Sequence, residues 1–206
     1  MTDSVLLFGG TFDPIHNGHL AIARFAAARL SIPRVVLIPS GQPPHKREAA
    51  LAAGEHRLAM CRLAVAGDEL FEVSDWELNR GGPSYTLLTV QEFRRRVGMD
   101  VRVCWLIGAD MLRDLGSWYR IGELAGLCTF VSMARPGVAR PDLALALPML
   151  TAQQRSEIAA YIIDGPLIDI SATDIRQRVA RGETIGDVVP ESVAAYVAAH
   201  RLYASS

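Results

Sequence analysis

Two histidines three residues apart, His16 and His19, close the segment Gly-Gly-Thr-Phe-Asp-Pro-Ile-His-Asn-Gly-His at residues 9 to 19. An apolar run, Val5 to Phe8, precedes it. After Gly18 the residues Leu20, Ala23, Ala27 and Leu30 recur at the three-to-four spacing of one buried helix face. The glycines and imidazoles therefore fall at a strand-to-helix turn. Unpaired backbone N–H groups point outward at a helix start and the macrodipole there favours anions, so these residues together describe a phosphate site. A transition-metal reading of the same pair lacks a third ligand nearby other than Asp13.

Four further segments carry chemistry. In PSGQPPHK, Pro39 to Lys46, the only lysine among 21 basic residues stands beside His45 in a loop beyond a strand end, where a compact ammonium on a flexible stem suits a phosphate. Ser84 in PSYTLLT has the ordinary reading of a helix cap. Gly108 permits close backbone approach, Asp110 can hold a sugar hydroxyl or orient a cation, and Trp118-Tyr119 follow about one helix later; by itself Trp118 reads as core. In ISATDIR, two hydroxyls, Ser171 and Thr173, open a helix with Arg176 on its first turns, within reach of the same anion. His16, His19, Lys46, Arg176 and two helix N-termini would make a polyphosphate site. No GxxxxGK[ST] loop, G-x-G-x-x-G, G-x-S-x-G or zinc-protease motif is present.

The elements that must position these groups alternate. Strand candidates are Val5 to Phe8, Arg34 to Ile38, Phe71 to Ser74, Val101 to Ile107, Thr129 to Met133 and a last one near Leu167 to Ile170. Helical patterns lie between them at about Gly18 to Leu30, Glu55 to Ala66, Tyr85 to Val97 and Thr151 to Tyr161. Strands separated by helices imply right-handed crossovers, so the expected fold is α/β, a doubly wound, Rossmann-like parallel sheet. Ligands bind such sheets beyond the strands' carboxyl ends, where Gly9, Pro39, Gly108 and Ser171 each follow a candidate strand directly. The pattern S-x-x-D at Ser171 to Asp174 opens a helix that Gly182 should close, and Pro190 is placed to start the last one. The expected division is a core over 1–165 and a small C-terminal helical subdomain over 166–206 that carries ISATDIR.

Composition bounds the function. The 206 residues are half hydrophobic, enough for one sizeable core, and carry a net charge of -1, which disfavours a nucleic-acid partner. Cys61, Cys104 and Cys128 are widely spaced and read as core residues rather than disulfides or a thiolate zinc site. Apolar runs fall far short of the roughly 20 residues a spanning helix needs, and the N-terminus lacks a signal-peptide pattern, so no membrane partner is expected and a cytoplasmic location is the default.

The segments GGTFDPIHNGH, PPHK, PSYTLLT, GADMLRDLGSW and ISATDIR, in this order and at these separations, resemble the bacterial nicotinate-nucleotide adenylyltransferases, H-x-G-H nucleotidyltransferases of NAD synthesis. The resemblance runs from end to end. The opening motif alone indicates the superfamily, which includes pantetheine-phosphate adenylyltransferase; PSYTLLT and the segment from Gly108 to Trp118 narrow it. Ala172 departs from the family's usual second serine. The resemblance implies adenylyl transfer from ATP to nicotinate mononucleotide by in-line attack, without a covalent enzyme intermediate and with Mg²⁺ held mainly by phosphates rather than by protein side chains. It implies His16, His19, Lys46 and Arg176 as catalytic. Gly9, Gly10, Thr11, Gly108, Asp110, Ser171 and Thr173 would contact ATP. Thr86, Asp110, Trp118 and Tyr119 would receive the mononucleotide, Trp118 by stacking and Thr86 with backbone N–H groups by holding the carboxylate. A homo-oligomer is compatible with the chain.

Overall fold

The computed structural model describes residues 3–42, 51–108, 111–134, 140–166 and 168–205. Lys46, His45, Asp110 and the 135–137 loop lie outside them.

Six strands form one sheet: β1 (Ser4–Gly10), β2 (Val35–Pro39), β3 (Phe71–Val73), β4 (Arg102–Gly108), β5 (Thr129–Ala134) and β6 (Ile162–Asp164). All five pairings are parallel, and the order across the sheet is β3-β2-β1-β4-β5-β6. The first half of the chain builds outward from β1 in one direction and the second half builds from β4 in the other. The winding therefore reverses between β1 and β4, and a crevice opens there at their carboxyl ends.

The four inner strands, β2, β1, β4 and β5, read as near-continuous apolar runs because both faces are covered, whereas the edge strands β3 and β6 expose Glu72 and Asp164. Successive side chains alternate between two cores, as the period of two in a strand requires. Leu6, Val35, Leu37, Cys104, Leu106 and Val131 face one. Val5, Leu7, Val36, Ile38, Val103, Trp105 and Ile107 face the other. All three cysteines are buried free thiols.

Between the strands run α1 (Asn17–Leu30), α2 (Gly54–Ala64), α3 (Trp76–Arg80), α4 (Thr86–Val97), α5 (Met111–Asp114), α6 (Ile121–Leu127), α7 (Leu143–Ala146) and α8 (Ala152–Ala160). After the sheet come α9 (Ala172–Ala180) and α10 (Glu191–Ala199). Ser171 caps α9 by accepting from the Asp174 N–H at 3.5 Å, and Gly182, at φ +73, follows that helix. Ile175 from α9 and Val193 and Val197 from α10 bury in the core that α1 covers, so these helices close one face of the sheet. No helix among the described residues is long and apolar enough to cross a membrane.

Two expectations are corrected. The sixth strand is Ile162–Asp164, paired with Ser132 to Ala134, and 168–170 is not a strand. Gly165 and Pro166 end the pairing, since proline cannot donate to a ladder. Ile168 instead lies against the start of α1, with its Cγ2 2.9 Å from where a Gly18 Cβ would stand. Ser171 consequently follows a loop rather than a strand. Helices α3, α5, α6 and α7, of four to seven residues each, were not anticipated, because so few residues show no helical period.

Candidate active site

At the end of β1 the chain turns through 11–16 and enters α1 at His16, the N-cap. The two histidines cap the helix reciprocally. The His19 backbone N–H donates to His16 Nδ1 at 3.4 Å, and the His16 backbone N–H donates to His19 Nδ1 at 3.3 Å. The pattern has the form of a capping box with imidazoles in place of hydroxyl and carboxylate. The rings stack with centroids 3.6 Å apart at 27°. Since each Nδ1 acts as acceptor, each ring carries its proton on Nε2 and presents an N–H donor there. Burial pushes His16 down to about 4, so it is neutral near pH 7.

A side chain at the glycine between them would crowd this geometry. A Cβ on Gly18 would stand 3.0 Å from His16 Nδ1 and 3.1 Å from its Cε1. Gly9 and Gly10 also answer to packing: added Cβ atoms would meet the Trp105 ring at 2.6 Å and the Phe12 ring at 2.9 Å. Gly108, the exposed last residue of β4, differs. Among the described residues, a Cβ there would meet no atom within 4 Å.

Arg176 reaches this loop from α9. Its NH1 donates to the Asp13 carbonyl at 2.8 Å and its NH2 to Thr173 Oγ1 at 3.3 Å. Ser171 and Thr173 are exposed at the start of that helix. The backbone oxygen of Thr11 accepts from Arg57 NH1 at 2.8 Å. The structure thus brings His16, His19, Thr11, Arg176 and Thr173 around one loop.

Beside this region lies a cavity of about 350 Å³ lined by Ser84, Tyr85, Thr86, Ser117, Trp118 and Tyr119, with Met111 and Leu124. Thr86 is the first residue of α4, which puts that helix's N-terminal N–H groups at its wall. Trp118 is half-buried and meets Phe130 edge-on at 6.1 Å. Tyr119 is 45% exposed and stacks on Tyr85 at 4.5 Å.

Ser84 does not cap α4. The N-cap position belongs to Tyr85, which makes no side-chain cap. Ser84 Oγ accepts from the Gly41 and Gln42 N–H groups at 2.9 and 3.1 Å, while the Ser84 N–H donates to the Gln42 carbonyl at 2.9 Å. It ties the loop after β2 to the cavity wall, and the buried Glu77 carboxylate, raised chiefly by burial, accepts from it and from Thr89.

The Cytidylyltransferase-like family model matches residues 7–178. The chain is 44% identical over 199 residues to the "Probable nicotinate-nucleotide adenylyltransferase" of Roseiflexus sp. (strain RS-1), with 96% of each chain covered. The chain belongs to the nicotinate-nucleotide adenylyltransferase family. A family member from Yersinia pestis (strain Pestoides F) is 39% identical over 207 residues, covering 96% of this chain and 94% of its own. The fold is also that of the Plasmodium falciparum nicotinic acid mononucleotide adenylyltransferase complexed with NaAD, at TM-score 0.72 and 19% identity over 98% of this chain and 97% of that one.

The motifs carry no sign of Arg57, Glu77 or Tyr203, nor of the contacts that hold Asp13. Arg57 and Tyr203 stand in stretches whose pattern is that of ordinary surface helix and tail, and nothing local marks them.

Proposed function

We propose that this nicotinate-nucleotide adenylyltransferase family member transfers the adenylyl group of ATP to the 5′-phosphate of nicotinate mononucleotide, giving deamido-NAD and pyrophosphate. The observation that carries this reading is the pairing, at one sheet edge, of the imidazole pair capping α1 with an aromatic cavity walled by the start of α4. One end suits phosphates and the other suits a flat ring bearing a carboxylate.

In the step, a 5′-phosphate oxygen of the mononucleotide attacks the α-phosphorus of ATP in line. The bond from that phosphorus to the oxygen bridging to the β-phosphate breaks, and its electron pair leaves on pyrophosphate. Attacking and leaving groups are both oxyanions, so no protein nucleophile is required. Catalysis rests on positioning, for which up to about 7–11 kcal/mol is available, and on donors aimed at the α-phosphate. The Nε2–H groups of His16 and His19 are those donors. Being neutral, His16 avoids the desolvation cost of a buried cation.

Arg176, with Thr173 and Ser171 at the start of α9, faces the leaving pyrophosphate. Gly108 leaves room for the nucleoside. Trp118 stacks on the pyridine ring, while Thr86 and nearby N–H groups take its carboxylate. An amide nitrogen would present hydrogens to those donors, and this favours the acid. Lys46 is assigned to pyrophosphate and Asp110 to the nucleoside on the motifs alone.

Mg²⁺ fits this site through substrate oxygens. Imidazoles are poor partners for it, and no group of three or more His, Cys, Asp or Glu among the described residues is placed to hold an ion. When bound it would supply neutralisation of phosphate charge.

The test is coupled pyrophosphate release from ATP with the acid and the amide mononucleotide in parallel. Release with the acid, and weaker release with the amide, is expected. No release with either, or turnover with 4′-phosphopantetheine instead, overturns the reading.

A further inference from the structure

Behind the histidine pair lies a polar cluster of which the transfer step uses only Arg176. Phe12 holds a left-handed backbone at φ +50, a conformation costly for a side chain of its kind. The carbonyls on either side of it are each gripped by a guanidinium. Arg57, 3% exposed on α2, donates from NH1 to the Thr11 oxygen at 2.8 Å and from Nε to the Ala52 oxygen at 3.0 Å. Arg176 donates to the Asp13 oxygen.

The Asp13 side chain, 2% exposed, is held in turn. Its Oδ1 accepts from the Tyr203 hydroxyl at 2.7 Å and from the Ala52 N–H at 3.2 Å, and its Oδ2 lies 3.9 Å from Arg176 NH1. Tyr203 reaches this point through a C-terminal turn in which Arg201 and Tyr203 both have positive φ, at 50 and 62. The turn between the two grips has a consequence for the histidines. The Phe12 ring meets His19 edge-on, with centroids 5.1 Å apart at 83°, and His19 in turn stacks on His16.

We propose that Asp13, Arg57 and Tyr203 are positioning residues for adenylyl transfer, which fix the left-handed turn at Phe12 so that its ring seats His19 against His16. This rests on the adenylyl-transfer reading above. The three residues act through the protein's own contacts, by setting where the two Nε2–H groups stand. The cluster reaches across the chain, from α2 on one side to the last turn on the other, and so makes the site's geometry depend on the C-terminal tail being docked. Burial and the Asp13 carboxylate both raise the Tyr203 phenol, which therefore remains a donor at any pH the protein tolerates.

The test is Tyr203→Phe, which keeps the ring and removes the hydroxyl. Three readouts are compared with wild type: kcat and KM for both substrates, Tm, and the nitrogen resonances of the imidazoles in the free protein. A misplacement of the histidines predicts a fall in kcat of about tenfold or more, with each KM within about twofold. It also predicts altered His16 and His19 signals. Phe93→Leu, a packing change in the core on the opposite face of the sheet, serves as the reference for plain destabilisation. It should lower Tm while leaving kcat at low temperature and the imidazole signals alone. Arg57→Lys, which cannot span the Thr11 and Ala52 oxygens with one planar fork, should reproduce Tyr203→Phe. The proposal is overturned if Tyr203→Phe keeps wild-type kcat and imidazole signals, or loses activity only in step with Tm as Phe93→Leu does. Should wild type itself fail to turn over, the function reading falls. The imidazole spectra then still decide the brace, and unchanged signals in Tyr203→Phe refute it.

Discussion

At the end of β1 the loop entering α1 is held through its backbone by Arg57 and Arg176 and through Asp13 by Tyr203, every group buried or half-buried. Around Thr86 and Trp118, on the same sheet edge, the wall is a helix start and a tyrosine that is 45% exposed and stacked on its neighbour. The first region is over-determined and the second is open. Donors for a transition state must stand still, because solvent or side-chain reorganisation at the moment of reaction raises the barrier. An acceptor pocket must instead admit and release a flat ring, and exposed aromatics do so at little cost in order. The two regions should therefore fail differently when altered.

The largest expected failure is at the braced end. His19→Ala removes an Nε2–H donor, the Nδ1 acceptor of the His16 N–H and the ring that stacks on His16. Loss of one such donor costs about 10²–10³ in kcat, and loss of the cap adds to it. KM for the mononucleotide should stay close to wild type. Pyrophosphate-release kinetics over both substrates check this; a variant that changes KM alone would mean the histidines bind ground state and transition state equally, and the contrast would break.

The same region should set the acid limit of the fold. His16 is lowered from 6.5 to about 4 by burial, so between those values the unfolded chain binds a proton that the folded one refuses. Its contribution is fully present above pH 6.5 and is lost progressively as pH falls toward 4. At about 1.4 kcal/mol per pKa unit the whole effect is on the order of 3 kcal/mol. Urea unfolding from pH 7.5 down to 4.5 measures it. His16→Asn, which retains a capping side chain without a titrating ring, should flatten that slope. Equal slopes for the two proteins would remove His16 as the cause.

What the sequence showed, and what it hid, follows the same division of causes. Strands β1, β2, β4 and β5 are legible because they are buried on both faces and read as apolar runs; a second apolar run beyond Gly165-Pro166 looks as much like a strand as β6 does, and so draws the sixth strand to the wrong place. The histidine pair was legible since its members are three apart. The brace was not, since Arg57 meets Thr11 across 46 residues and Tyr203 meets Asp13 across 190. Only folding brings such partners together, and each alone has the pattern of an ordinary helix or tail residue. Ser84 shows a subtler failure: its type and place suited a cap, and tertiary contact with Gly41 and Gln42 claimed it instead.

The smallest effect is expected at the open end. Trp118→Ala removes the face on which the pyridine ring stacks, and a base-to-aromatic stack is worth about 1–3 kcal/mol. Most of that side chain is already covered by Phe130 and the core, so the variant also leaves a cavity edge and should lower Tm slightly. KM for nicotinate mononucleotide should rise about ten- to hundredfold, while KM for ATP and kcat at saturation hold. Trp118→Phe keeps a stacking face and should recover most of the loss. If kcat falls with Trp118→Ala and is not restored at saturating acceptor, the ring is being aimed as well as held. The aromatic pocket would then share the positioning work that the comparison assigns to the histidine loop alone.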